Sequence, residues 1–326
     1  MDQINWGIIG CGDVTEVKSG PAFNKVPHSH LVAVMRRDAE KAADYAKRHN
    51  VPKWYTDADA LINDPDVNAI YVATPPDTHA DYAIRAMRAG KPVYVEKPMA
   101  RNAAECEAMN QVSRETGMPL FVAFYRRALP YFLKIKELVE QKAIGDIRYV
   151  RIQLNWPPYT EEVGENPQPR WRVFPEISGG GHFHDLASHQ FDFLEYVFGP
   201  IKTASGMARN QAGLYQADDI VVATFEFESG VVGTGNWCWT INKEQRIEQT
   251  EFIGAQGKLS FSFFEKFFIR VETETGIENI TVPFPEHVQQ PLIEQIVNDL
   301  RGEGKSPSTG ETGARSNQII DWITAR

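Results

Sequence analysis

Residues 3–123 alternate short apolar segments with helix-forming ones, and nothing else in the chain constrains its fold so strongly. Strands are expected at 3–9, 31–35, 67–73, 92–95 and 119–123, and helices at 39–49, 78–89 and 102–116. The strands are apolar almost throughout rather than at every second residue, so both of their faces must be covered. Strands of that kind joined by helices imply a parallel sheet with helices on either side, an N-terminal α/β domain.

Beyond 123 the pattern changes. After a helix at 130–141, strands are expected at 147–155, 201–209, 218–228, 231–239, 246–254, 257–263 and 266–272, without intervening helices. Several alternate apolar and polar residues, and Ser229-Gly230 reads as a hairpin turn. A C-terminal α/β domain follows, with a large, mostly antiparallel open sheet, one face of which is solvated or covered by a partner. The glycine-rich stretch 178–181 opens a helix expected to lie between the two sheets. Terminal helices are expected at 291–301 and 312–325. The domains expected are 1–122 and 123–305. The 306–326 segment is expected to be a helix packing back on the first domain.

The 326 residues carry 43 acidic and 34 basic side chains, a net charge of −9. That balance argues against nucleic acid or an anionic membrane as partner, since both select a basic face. Cys11, Cys106 and Cys238 are widely separated and show neither metal-ligand nor redox spacing, which fits a reducing compartment. With no leader pattern and no spanning apolar run, a cytoplasmic location is expected.

Gly10-Cys11-Gly12 falls at the first strand-to-helix turn. Gly10 permits the sharp turn, Gly12 lets the backbone approach a pyrophosphate, and Asp13 and Val14 open the helix beyond. Thr15 stands at the third glycine position and Pro21 interrupts the helix, so its start is expected to be irregular. The second strand ends in Arg36-Arg37-Asp38. Arginine there suits a ribose 2′-phosphate and favours NADP; the alternative is solvated arginines with Asp38 on the ribose of NAD. Thr74-Pro75 and His79 lie at the same sheet edge and are expected beside the cofactor.

Glu96-Lys97-Pro98 closes the strand expected at 92–95 and puts an ammonium group at that edge. It would bind the substrate hydroxyl and the nicotinamide ribose together, stabilising alkoxide character as hydride leaves. Asp185 and His189, four apart, share one helix face. The imidazole is the candidate general acid–base, with Asp185 orienting it or holding a second hydroxyl. A packing role is the ordinary reading of a lone helical histidine; Gly179, Gly180 and Gly181 just upstream tip the balance toward function. A metal held by His182, His184, Asp185 and His189 lacks standard spacing, so none is expected. Tyr125, Trp156 and Arg172 are candidate substrate contacts, although aromatic residues there serve equally well as packing. Specificity is expected in the loops around 156–176 and 282–291.

Taken in order, Gly10-Cys11-Gly12, Thr74-Pro75, Glu96-Lys97-Pro98, Arg126-Arg127, and Gly179-Gly180-Gly181 with Asp185 and His189 resemble the Gfo/Idh/MocA oxidoreductases over essentially the whole chain. That family includes glucose–fructose oxidoreductase and inositol dehydrogenase. The resemblance implies NAD or NADP as hydride carrier and sugars, cyclitols or related polyols as substrates. It also implies Lys97, Asp185 and His189 as the catalytic set, Pro98 as a cis proline, and a homodimer or homotetramer assembled through the open sheet. Thr15, Lys18 (where a histidine is frequent) and Arg36 depart from the family pattern and bear on how the cofactor docks. The reaction expected interconverts a secondary alcohol and a ketone, or a lactol and a lactone. Competing readings are an NAD-dependent glycoside hydrolase of the same superfamily and a non-catalytic dinucleotide sensor. The catalytic reading requires the Lys97 amine and the His189 imidazole to converge beside the nicotinamide ring.

Overall fold

A computed structural model describes residues 1–163, 167–168 and 170–325. They fall into two compact units: residues 1–129 with 285–315, and residues 130–284 with those from 316 onward.

In the first unit, six strands, β1 (Ile4–Ile9), β2 (Ser29–Met35), β3 (Lys53–Tyr55), β4 (Ala69–Val72), β5 (Val93–Val95) and β6 (Leu120–Val122), form one sheet in the order β3-β2-β1-β4-β5-β6. Every pairing is parallel. The order reverses between β1 and β4, which opens a crevice at the carboxyl ends of those strands. Both faces are dry, as the apolar runs require. Ile4, Trp6, Ile8, Tyr71 and Tyr94 pack into one core, and Ile9, Ile70, Val72, Val93 and Val95 into the other. Short polar side chains set the helix starts, because their oxygens accept the unpaired N–H groups of a first turn. Asp38, Asp57 and Asn102 each do so, for helices Ala39–Arg48, Ala58–Ile62 and Ala103–Thr116. β3 and helix Ala58–Ile62 have no counterpart among the expected elements; both are too short to show a period.

The domain boundaries expected from sequence need correction. The first unit runs on to Leu129, and residues 285–305 belong to it rather than to the second. The reason is the apolar stripe of helix Gln290–Arg301: Leu292, Ile293, Ile296 and Val297 are fully buried in the core that holds Trp6 and Tyr94. Residues 306–315 also belong to this unit. Ser308 and Thr309 run beside β6, with Val122 N–H donating to Ser308 O (3.3 Å) and Ser308 Oγ to Val122 O (2.8 Å). The last helix, Gly310–Thr324, begins in the first unit, but from residue 316 it groups with the second.

The second unit is an eight-stranded sheet of β7 (Ile147–Asn155), β8 (Ile201–Arg209), β9 (Ile220–Phe227), β10 (Val232–Cys238), β11 (Ile247–Gly254), β12 (Gly257–Phe261), β13 (Phe268–Thr273) and β14 (Gly276–Thr281). Their order is β14-β13-β12-β11-β7-β10-β9-β8. Only the central β7–β10 pair is parallel. β14, rich in polar residues, is a strand not anticipated from sequence. Helix His182–Phe198 packs on one sheet face through edge-on ring contacts, Phe183–Trp237 (5.0 Å) and Phe198–Phe252 (4.8 Å), and helix Pro130–Glu140 packs on that helix through Phe132–Phe193 (5.0 Å). The other face exposes Tyr149, Met207, Val222 and Val232.

Candidate active site

At the crevice of the first unit the backbone turns at Gly10, whose φ is +94°. A Cβ there would lie 2.7 Å from Thr74 Cγ2 and 2.9 Å from Thr74 N, so glycine is required on two counts. Gly12 differs: a Cβ would meet nothing nearer than Gly10 O at 4.0 Å. The chain itself does not need a glycine at 12, and the open side suits the close approach of a pyrophosphate. The helix beyond is a single turn and a half, Asp13–Val17, followed by a second short piece, Ala22–Lys25. Thr15, in place of a glycine, is buried; its hydroxyl donates to Gly12 O (2.8 Å), and its carbonyl accepts from Tyr45 Oη (2.8 Å). Asp13 is exposed and Val14 half-buried.

Arg36 is half-buried and donates from Nη1 to Cys11 O (3.1 Å), which ties the end of β2 to the Gly10–Gly12 turn. Arg37 is exposed. Asp38 caps helix Ala39–Arg48, accepting from Lys41 N–H (3.1 Å), and its carboxyl is held below the usual range by that bond. Thr74 and Pro75 follow β4 beside Gly10, and Thr78 Oγ1 donates to Thr74 Oγ1 (2.8 Å). His79 departs from the expectation of a cofactor contact. Its ring is buried and bridges two backbone carbonyls, Thr74 O at 2.7 Å and Pro98 O at 3.0 Å. Burial lowers its pKa, and its place is to staple the loops after β4 and β5 together.

The Lys97–Pro98 peptide is cis. Behind it lies a buried polar network that no local pattern of residues announces. Glu96 is 6% exposed and accepts from Tyr71 Oη (2.6 Å), Gln289 Nε2 (2.6 Å) and the Lys97 backbone N–H (3.1 Å). Tyr94 Oη donates to Gln289 Oε1 (2.7 Å), and Tyr71 Oη also contacts Ser19 Oγ (3.1 Å). Burial and the neighbouring Glu96 carboxylate push both phenols well above their usual pKa. Gln289 N–H reaches Lys18 O (3.2 Å), and the His287 ring meets Val17 O (2.6 Å). Segment 287–289 therefore binds the helix after the phosphate turn and the end of β5 in one clamp. Tyr125 belongs to this unit too, in a short turn where the Arg126 guanidinium lies 5.1 Å from its ring.

In the second unit, Gly181 precedes helix His182–Phe198 with φ +85°. The close approach inferred from its glycines is real but internal: a Cβ at 181 would stand 2.5 Å from Ala217 Cβ. Packing within the unit, not a ligand, demands that glycine. Asp185 and His189 are both buried on the helix, and Asp185 Oδ2 accepts from Arg172 Nε (2.8 Å). Two residues assigned different roles from sequence are thus an ion pair, with Arg172 also 4.5 Å from the Trp171 ring. His182 faces Glu162, with Nε2 3.1 Å from both carboxylate oxygens and both side chains almost fully buried. The His189 ring lies 6.2 Å from Phe264, and buried Trp156 has the Arg246 guanidinium at 5.1 Å. Of the expected specificity loop at 156–176, residues 164–166 and 169 lie outside the described residues.

A family model described as an oxidoreductase family with an NAD-binding Rossmann fold matches residues 4–124, and the GFO/IDH/MocA C-terminal domain matches residues 132–260. The chain belongs to the Gfo/Idh/MocA oxidoreductase family. It is 41% identical to Oxidoreductase P35 of Formosa agariphila, over 98% of each chain. Among solved structures it is similar to levoglucosan dehydrogenase in complex with NADH and levoglucosan, with TM-score 0.85, 23% identity, and 98% and 96% of the two chains covered. It is also similar to KijD10, a 3-ketoreductase from Actinomadura kijaniata in complex with NADP and TDP-benzene, with TM-score 0.84, 22% identity, and 98% and 97% covered. This Gfo/Idh/MocA chain is an NAD(P)-binding oxidoreductase, and its fold is the Rossmann sheet plus large antiparallel sheet expected of the family.

Proposed function

We propose that this oxidoreductase interconverts a secondary alcohol and a ketone, or a lactol and a lactone, on a sugar-like or polyol substrate. The nicotinamide, when bound, accepts or supplies the hydride. Lys97 holds the reacting oxygen, and His189 takes or returns its proton, with Asp185 fixing a neighbouring hydroxyl or the imidazole itself. The observation that carries this reading is the support around Lys97. A buried carboxylate with three donors fixes its backbone N–H at the edge of the same sheet where Gly12 leaves room for a pyrophosphate. Such support preorganises a side chain for chemistry rather than leaving it on a mobile loop.

NADP is the preferred cofactor in this reading. Arg36 sits at the end of β2 beside the phosphate turn, while Asp38, the carboxylate that would take the ribose of NAD, is engaged as a helix cap. A second copy of the chain covers the sheet face that exposes Tyr149, Met207, Val222 and Val232, which makes the enzyme a homodimer or homotetramer. Fluorescence titration with NADPH and NADH, followed by a polyol screen with the tighter cofactor, tests the function. Failure to bind either dinucleotide would end it. Sedimentation of the purified protein tests the assembly, and a monomer at micromolar concentration would refute it.

A further inference from the structure

We propose that Tyr45 and Gly20 are positioning residues for the dinucleotide diphosphate, because together they lock the short helix that follows the Gly10–Gly12 turn. The inference deepens the function proposed above and rests on its reading that this turn receives the diphosphate.

Helix Asp13–Val17 has five residues and is followed, after Lys18–Pro21, by the separate piece Ala22–Lys25. A helix that short makes few bonds of its own, and its last carbonyls have no intrahelical partner. Side chains hold it instead. Thr15 Oγ1 donates to Gly12 O (2.8 Å) at its start, and Ser19 Oγ donates to Val14 O (3.3 Å). Tyr45 Oη, from helix Ala39–Arg48, donates to Thr15 O (2.8 Å). Of these three bonds, only Tyr45 ties the short helix to another element of the fold. The same longer helix also reaches Glu16 with Arg48, but that pair lies on the solvent side, where it is screened.

Tyr45 is 1% exposed, and burial pushes its phenol up to about 12, so the hydroxyl stays a donor across the working pH range. Gly20 closes over its bond. A Cβ at Gly20 would stand 2.2 Å from Thr15 O and 2.3 Å from Tyr45 Oη. The φ of Gly20 is not positive, so space rather than conformation demands the glycine. In a dinucleotide-binding turn the third glycine serves close packing of the helix that follows. Thr15 stands at that position here, and the tight contact falls instead between Gly20 and the Thr15 carbonyl. Without the Tyr45 donor, or with a side chain at 20, the short helix shifts and the turn before it loses its aim. The loss falls on affinity for the dinucleotide.

The test measures Kd for NADPH and NADH by fluorescence titration of the full-length protein, at a temperature where unfolding scans show every variant folded. Tyr45→Phe keeps the ring and removes the donor, and Gly20→Ala drives a Cβ into the bond. Ile4→Val, in the same core but at the opposite end of β1, controls for a general loss of stability. A Kd for the tighter dinucleotide raised about 3- to 10-fold in Tyr45→Phe and about 10- to 100-fold in Gly20→Ala, and unchanged in Ile4→Val, supports the role. The double variant should bind better than the product of the two losses predicts, because removing the hydroxyl frees one of the two overlaps of the new Cβ. Strict multiplication would overturn the joint role. A Tyr45→Phe affinity equal to wild type, or a loss matched by Ile4→Val, overturns the proposal and leaves the hydride-transfer function standing. Should Gly20→Ala fail to fold, Tyr45→Phe alone decides. Wild-type protein that binds neither dinucleotide removes the function and the positioning role together.

Discussion

The two units hold their polar groups by different means. In the first, the groups at the sheet edge are anchored largely to backbone and to one buried carboxylate: Glu96 accepts from three donors, the His79 ring faces two carbonyls, and Arg36 donates to Cys11 O. In the second, buried polar pairs such as Glu162–His182 and Arg172–Asp185 stand among aromatic rings, and among the described residues the indole N–H groups of Trp156 and Trp239 have no hydrogen-bond partner. Groups anchored to backbone hold a sheet edge in one shape, whereas polar pairs set among rings depend on how those rings pack.

The largest expected effect tests whether the two regions serve one reaction. Lys97→Ala and His189→Asn should each lower kcat by about 100- to 10,000-fold, with dinucleotide affinity within a few-fold of wild type. If both act in one step, the double variant should fall little below the worse single one, because groups that act as a unit are not additive. Full multiplication of the two losses, or near-normal turnover in either single variant, would separate the regions.

Next in size is Gly181→Ala, which forces a Cβ toward Ala217 at an unfavourable φ. A loss of about 2–3 kcal/mol in denaturant unfolding is expected. A neutral result would show that the turn can relax. Gln289→Leu leaves Tyr94 Oη and Glu96 each short of one partner in a dry site. It should cost about 1–3 kcal/mol and lower kcat several-fold through the loosened Lys97 corner. Unchanged kcat in a destabilised variant would make the clamp purely structural.

The smallest effect is at the surface of the first unit. The Arg48 guanidinium holds the Glu16 carboxyl down at about 2, from an ordinary value of 4.5. A carboxyl depressed in the folded state stabilises above its unfolded pKa, and that contribution is lost as pH falls from about 4.5 toward 2. Both side chains are a third or more exposed and screened by solvent, so Arg48→Ala should lower the melting temperature only slightly at pH 7. The difference in melting temperature between variant and wild type should vanish near pH 2. A difference that persists there would point to lost packing instead.

Much of the first unit was legible because its signals are local. A strand apolar on both faces, a Gly-x-Gly at its end and a Lys-Pro at the fifth strand need no distant partner to be read. Gly10 behaves as that reading requires, and the cis Lys97–Pro98 bond agrees with what the family resemblance implied. Gly181 shows the limit of the same method. Its glycine was a correct sign of close approach, but the neighbour is Ala217. His79 was placed at the right edge, yet its two nitrogens face carbonyls of the chain.

Sequence by itself determined the alternation of elements, the parallel sheet, the phosphate turn and the residue types at each strand end, because these follow from periods and dihedral preferences within a few residues. Only the tertiary structure decided that Gln289 reaches Glu96 across 193 positions and that residues 285–315 return to the first unit. It also decided that Trp156 and Trp239 emerge together from a parallel strand pair. A buried donor or carboxylate takes its partner from whatever the packed chain brings within 3 Å, and no local pattern encodes that distance.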